Sequence, residues 1–125
     1  TSSDVAVSFN RLVSSASKVF NYYDCIDGAE EYRRKRTRTL RGVRVISERE
    51  FEIRLKNAFP PFLLILAGGT AKILPKNVDQ IPSFFKNPIG SGAFKYVEER
   101  TTPAGKDLVF SRFDGYAGAP PKLSK

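Results

Sequence analysis

The stretch Lys86-Asn-Pro-Ile-Gly-Ser-Gly-Ala-Phe-Lys-Tyr-Val97 decides how the fold of this chain is interpreted. Asn87-Pro88 favours extended backbone, because the proline ring disfavours helical angles in the residue before it. Gly90 and Gly92 permit backbone angles and close approaches that other residues resist. We therefore predict a tight passage of the backbone that leads into a strand.

The residues after this passage alternate in polarity, which predicts strands at Phe94–Glu99 and Leu108–Phe113 around a hairpin loop at Thr101–Gly105. The glycines match neither the dinucleotide fingerprint nor a P-loop. A strand also follows them, instead of the helix whose N-terminus would hold a phosphate. We therefore interpret the passage as structural, a return of the chain into a sheet.

Upstream of residue 59, the sequence predicts short helices and strands. Thr1 and Asp4 resemble a capping box at the start of the first helix. Along the second strand, Phe51, Ile53 and Leu55 share one face, which we expect to be buried while the other face is wet. The predicted helices are Thr1–Ser15 and Ala29–Arg36, and the predicted strands are Val43–Ile46 and Phe51–Leu55.

The second half of the chain is richer in proline and glycine. Phe59–Ala67 predicts a short buried helix, with Pro61 in its first turn and Gly68 at its C-cap. Lys72–Leu74 predicts a brief strand, and residues 75–88 a loop with one turn of helix. We expect the tail, residues 117–125, to be extended or disordered.

Composition limits the possible chemistry. The 125 residues carry a net charge of +8, and seven basic residues lie between Arg33 and Arg44. Such a balance favours anionic partners. The chain has no histidine and a single cysteine, Cys25, which excludes an internal disulfide, a Cys-His pair and a Ser-His-Asp triad, and argues against a zinc site. We interpret Cys25 as a small buried apolar residue.

Two segments leave alternatives open. The aromatic side chains of Phe20, Tyr22 and Tyr23 are typical either of core packing or of the wall of a ligand pocket. The basic run Arg33–Arg38 is typical of a solvated helix end, but it also fits a module that binds nucleic acid or an acidic surface. Among the carboxylates, Glu98 and Glu99 are adjacent on a predicted strand and point to opposite faces, so they cannot act as a catalytic pair.

Taken together, the segments resemble family 5 of the extracellular solute-binding proteins, the oligopeptide- and dipeptide-binding components of ABC importers. Eight segments match the family in order and spacing. Eight matches in the same order indicate the family far more specifically than any single match does. The matching segments are Thr1–Arg11, Ile26–Tyr32, Leu40–Ile46, Phe51–Leu55, Phe59–Leu63, Ile73–Lys76, Asn87–Phe94 and Phe113–Gly118. Ala117 departs from the family's usual Trp, Ala93 from a common Pro, and the arginine run is heavier than usual.

The resemblance implies a fold and a role. It implies an α+β unit, with a small mixed or antiparallel sheet and packed helices, that is a subdomain of a periplasmic-binding-protein type II fold. Because members of the family are far longer, we expect an internal fragment of the first lobe. Residues 1–86 would form its small subdomain, and residues 87–125 the strands that return to the main sheet.

The same resemblance implies capture of peptides, or of a related solute such as a nickel chelate, for import through ABC permease subunits. It implies a periplasmic or extracellular location, with lipid anchoring as an option and at most a peripheral contact with the membrane. Phe20, Tyr22 and Tyr23 are expected to face the ligand cleft. No catalysis, metal, cofactor or nucleic-acid partner is expected. The alternative is the basic interaction module described above.

Overall fold

The structure, a computed structural model, describes residues 1–123. The chain packs as two units, Thr1–Lys76 and Asn77–Lys125. The boundary expected after residue 86 lies inside the second unit, and the assignment of the two segments to a small subdomain and to return strands stays a prediction. The predicted tail ends with Ser124 and Lys125, which lie outside the described residues, whereas residues 117–123 contain no helix or strand.

The described residues form an α+β structure, as the resemblance implies. In the first unit the elements are α1 (Ser2–Val13), a 3₁₀ helix (Phe20–Tyr23), α2 (Ala29–Arg33), β1 (Val43–Ser47), β2 (Glu50–Ile53) and α3 (Phe62–Ala67). In the second they are a 3₁₀ helix (Val78–Gln80), β3 (Phe94–Thr102) and β4 (Gly105–Arg112). Each unit contains one two-stranded antiparallel sheet within the described residues, β1–β2 and β3–β4.

Helix α1 organises the first unit. The Thr1 hydroxyl donates to the Asp4 carboxylate at 2.7 Å, and the Asp4 amide donates to the Thr1 carbonyl at 3.0 Å, so the predicted pairing at the helix start is confirmed. The helix buries an apolar face, as its 3.6-residue spacing predicts. The buried core around that face consists of Val5, Phe9, Val13, Tyr23, Ile26, Ala29, Leu40 and Phe62.

The β1–β2 hairpin is confirmed, but its predicted burial is only partly right. Val43 pairs with Ile53 near the core, and both are half-buried. The next apolar pair, Val45 and Phe51, leaves 40% and 43% of the two side chains exposed. Val43 and Ile53 pack against the core cluster, whereas Val45 and Phe51 are not part of it.

Helix α3 is confirmed between Pro61 and the Gly68 C-cap, but the expectation that it is buried is wrong for three of its six residues, Leu63, Leu64 and Ala67. Phe62 enters the core, whereas Leu63 and Leu64 are 74% and 76% exposed. Ile65 and Leu66 also pack against the core. Consecutive residues are spread around a helix, so a helix that packs on one side leaves the residues of its other side in solvent.

The predicted strand at Lys72–Leu74 is wrong. Its backbone has no strand partner, because the Leu74 amide donates to the Ser8 hydroxyl on α1 at 2.8 Å. Two residues later, the Lys76 amide donates to the Asp4 carboxylate at 2.7 Å. The segment is therefore held as an extended strap against the side of α1.

In the second unit, the predicted helical turn and hairpin are confirmed. The strands β3 and β4 are longer than predicted and meet at a two-residue turn, Pro103-Ala104, before Gly105 with φ +138°. The expected need for glycine at Gly90 and Gly92 is not seen. Neither has a positive φ, and a Cβ at either position would meet nothing within 4 Å.

Candidate functional site

The aromatic segment predicted to face a ligand cleft forms the 3₁₀ helix Phe20–Tyr23 in the first unit. A 3₁₀ helix has three residues per turn, so Phe20 and Tyr23 lie on one side while Tyr22 points elsewhere. The structure thus separates the three predicted side chains into an exposed ring, a half-buried ring and a fully buried ring. Their assignment to a cleft stays a prediction.

Tyr23 is a core residue in this structure. Its side chain is 0% exposed, and its ring meets Phe9 edge to face, with centroids 5.9 Å apart. Its hydroxyl lies 2.8 Å from the Thr70 hydroxyl, which satisfies the polar end of the ring. The core-packing interpretation that the sequence left open therefore describes Tyr23.

Tyr22 presents its ring to solvent, with 58% of the residue exposed. An exposed tyrosine within a packed 3₁₀ helix offers a flat apolar face and a hydroxyl on a fixed backbone. The thiol of the partly buried Cys25 lies 3.9 Å from the Tyr22 carbonyl oxygen, and burial raises the pKa of that thiol. Of the three predicted residues, Tyr22 is the most exposed.

Phe20 is half-buried beneath a charged side chain. The Arg33 guanidinium carbon lies 4.3 Å from the centroid of the Phe20 ring, which is cation–π geometry. The same guanidinium donates to the Asp24 carboxylate. Arg33 therefore joins the end of α2 to both ends of the aromatic segment, a link that spacing along the sequence did not reveal.

A second charged cluster, which the sequence reasoning missed, centres on Asp27. Arg41 donates to its two carboxylate oxygens at 2.6 and 3.1 Å, and Arg54 donates from its Nε at 3.0 Å. The hydrogen bonds from Arg41, with a further contribution from Arg54, lower the pKa of Asp27 to about 2. The carboxylate is thus an ionised structural tie that has little capacity to act as a general base.

Backbone hydrogen bonds hold the same region as the side chains of the Asp27 cluster. The Asp27 amide donates to the Arg54 carbonyl at 2.9 Å, and the Gly42 amide donates to the Asp27 carbonyl at 2.8 Å. Ile26 also forms an isolated antiparallel bridge with Leu55. The segment that follows the aromatic residues is therefore fixed to the β1–β2 hairpin, which gives Tyr22 a rigid support.

Other acidic side chains are similarly occupied. In the second unit, Glu98 pairs with Arg100 and Glu99 with Lys106, each at 2.6 Å. Within residues 1–123, no group of three or more Cys, Asp or Glu side chains is placed to hold a metal ion. Over that same range, no helix combines the length and apolar character that a membrane crossing requires.

Many classes of protein share an α+β scaffold of this kind, so the fold alone does not identify the class. The chain belongs to family 5 of the bacterial extracellular solute-binding proteins: the family model, described as the middle part of family 5, matches residues 1–125. No curated protein matches the chain.

Family membership confirms the resemblance and the fold class stated from the sequence. It implies solute capture for ABC import, with a small solute as ligand and transporter subunits as partners. The family is extracellular or periplasmic, and its members in general are not enzymes.

Proposed function

We propose that this chain is a segment of a longer solute-binding protein that captures peptides, or a related solute, for an ABC importer. The observation that carries the proposal is the family match, which extends over residues 1–125. The partners would be the permease subunits that receive the loaded protein. The location would be the periplasm or the cell exterior, where a lipid anchor would keep the protein near its transporter.

Within this proposal, Tyr22 contacts the solute directly. Its exposed ring offers an apolar face for a peptide side chain, and its hydroxyl offers a hydrogen bond to a peptide group. Phe20, half-buried below Arg33, shapes the surface beside it. Tyr23 acts from within the core, where it supports the 3₁₀ helix that carries the other two rings.

The proposal assigns no catalytic residue, so the solute would be bound and released unchanged. The carboxylates near the aromatic segment, Asp24 and Asp27, accept hydrogen bonds from arginines. The hydrogen bonds from Arg41 and Arg54 lower the pKa of Asp27, so this carboxylate takes up a proton reluctantly.

The test is binding by the full-length protein. Native mass spectrometry of the freshly purified protein should find a co-purified peptide, and calorimetry with a pool of short peptides should find affinity. Tyr22→Ala should weaken peptide binding by about tenfold, since aromatic anchors dominate such contacts. The matched control is Tyr116→Ala, which removes a less exposed tyrosine from the second unit.

Three outcomes would contradict the proposal. Binding of a nickel chelate but of no peptide would overturn the peptide assignment, and equal binding by the Tyr22→Ala and Tyr116→Ala proteins would overturn the role of Tyr22. Salt-dependent binding of DNA, lost on neutralising Arg33–Arg38, together with no solute binding, would instead favour the basic interaction module.

A further inference from the structure

A basic groove lies beside the aromatic segment, between the end of α1 and the loop that follows α2. Its volume is about 370 Å³, near the lower end of the range for small-ligand pockets. It is lined by Ser14, Ser15, Tyr32, Arg33, Lys35, Thr37 and Arg38. Three of these side chains are cations, four carry a hydroxyl, and none is a carboxylate.

The positive charge of the groove is only partly compensated. Within the basic run, Arg33 is paired with Asp24 and Arg34 with Glu30. Neither Lys35 nor Arg38 forms an ion pair with any acidic side chain in residues 1–123, and both are exposed. Two cations that face one small concave surface repel each other unless an anion lies between them.

The turn that ends α2 brings these cations together. Lys35 has φ +57°, a left-handed conformation that side-chain-bearing residues rarely adopt. Its amide donates to the Tyr32 carbonyl at 2.9 Å, and the Arg36 amide donates to the Glu31 carbonyl at 2.9 Å. The turn ends α2 and sends the following residues back toward Ser14 and Ser15. These two hydrogen bonds and the left-handed residue form a Schellman motif, a common way for a helix to end.

We propose that this groove binds a phosphate group. A guanidinium such as that of Arg38 can donate two parallel hydrogen bonds to phosphate oxygens, and Lys35 adds a compact positive charge. Hydroxyl donors such as that of Ser15 complete the usual set of phosphate ligands. The phosphate could belong to a soluble compound or to a lipid headgroup, because both present the same oxygens.

The shape of the site favours a single phosphate or diphosphate over a nucleic-acid strand. A strand needs a groove that follows several nucleotides and offers stacking surfaces. Here the cations converge on one pocket, and the tyrosine that lines it, Tyr32, is half-buried.

The probe is inorganic pyrophosphate, titrated calorimetrically into the whole 125-residue chain at fixed ionic strength. The double variant Lys35→Gln/Arg38→Gln should weaken binding about tenfold or more, since it removes charge-assisted hydrogen bonds. The matched control, Arg36→Gln/Arg44→Gln, removes the same charge from exposed residues outside the lining and should change binding less than about twofold. If both variants weakened pyrophosphate binding equally, the site would be overturned, because the net positive charge of the chain alone would then account for the binding.

Vesicles separate the two sources of phosphate. The chain can be tested with phosphatidylglycerol vesicles and with phosphatidylcholine vesicles. Binding to the first kind alone, reversed by added pyrophosphate, would support the site and identify a lipid headgroup as its ligand. Pyrophosphate binding without vesicle binding would support it with a soluble ligand. The proposal would be overturned if the wild-type chain did not bind pyrophosphate. It would also be overturned if the chain bound a single-stranded oligonucleotide tightly and both double variants weakened that binding equally.

Discussion

The hydroxyl of Tyr23 lies 2.8 Å from the hydroxyl of Thr70, and this contact joins the buried end of the aromatic segment to the loop after α3. The two partners differ in their access to water. Tyr23 is 0% exposed, whereas Thr70 lies at the surface. The tyrosine therefore depends on the threonine for its hydrogen bond, while the threonine can turn to solvent.

This asymmetry predicts unequal costs. Thr70→Val leaves the Tyr23 hydroxyl buried without a partner and should lower the free energy of unfolding by about 1–3 kcal/mol. Tyr23→Phe removes only the hydrogen bond and should lower it by about 0.5–1.5 kcal/mol. Urea unfolding measures both, and the double variant should be more stable than Thr70→Val alone. A larger loss for Tyr23→Phe than for Thr70→Val would contradict the argument.

Gly42 is predicted to tolerate no side chain. A Cβ there would lie 2.6 Å from the Asp27 carbonyl oxygen and 2.8 Å from the Arg54 carbonyl oxygen. Both atoms belong to backbone that is held by hydrogen bonds, so they cannot move aside cheaply. We expect Gly42→Ala to lower the free energy of unfolding by about 2–4 kcal/mol.

Gly69 supplies the matched control for Gly42. A Cβ at Gly69 would meet nothing within 4 Å, and its φ is not in the left-handed region. Gly69→Ala should therefore leave stability unchanged or raise it slightly, because it restricts the unfolded chain. If the two alanine variants unfolded at the same urea concentration, the close approach at Gly42 would not be important for stability.

The Asp27 cluster predicts an acid-dependent loss of stability. Arg41, and then Arg54, lower the pKa of Asp27 from 3.8 to about 2. A carboxyl group with a lowered pKa in the folded state stabilises that state above its unfolded pKa, and the contribution is lost as the pH falls through the folded pKa. The stabilisation should therefore disappear between pH 3.8 and about 2.

Asp27→Asn tests this window. The variant should be less stable than the wild type at about pH 5, and the difference should shrink as the pH approaches about 2. Urea midpoints measured across that range provide the comparison, with Asp4, another carboxyl whose pKa is lowered, present in both proteins. A difference that stays constant with pH would show that the cluster contributes through packing instead of charge.

Ser8 is predicted to stabilise the fold by joining α1 to the extended strap at Leu74 through hydrogen bonds. Its buried hydroxyl donates to the Asp4 carbonyl at 2.7 Å and accepts from the Leu74 amide at 2.8 Å. Ser8→Ala leaves that amide unpaired and should cost about 1–3 kcal/mol. Hydrogen exchange at the Leu74 amide should quicken more than exchange within α1. Ser3→Ala, on the same helix, should change stability by less than about 0.5 kcal/mol.

Local patterns in the sequence predicted most of the elements. The capping pair Thr1 and Asp4, the two hairpins and the Gly68 C-cap depend on residues close together in the chain, so their spacing carried the signal. The strand predicted at Lys72–Leu74 failed because its hydrogen bonds go to Ser8, whose distance along the chain hides the contact.

The candidate site was less predictable. An aromatic segment was visible at Phe20–Tyr23, but the sequence could not say which ring lies in the core, because a 3₁₀ helix and a loop present the same residues differently. The contacts of Arg33 with Phe20 and of Arg54 with Asp27 join residues far apart in the chain. Such pairs follow from tertiary packing, and no local period marks them.

The exposed leucines of α3 bear on colloidal behaviour. In the isolated 125-residue chain, Leu63 and Leu64 expose apolar surface that favours association, while the net charge of +8 makes the molecules repel each other. Salt shortens the range of that repulsion to about 10 Å at 0.1 M but leaves the apolar attraction intact. The isolated chain should therefore remain monodisperse in dilute buffer and grow into larger particles as salt is added, a trend that light scattering would follow.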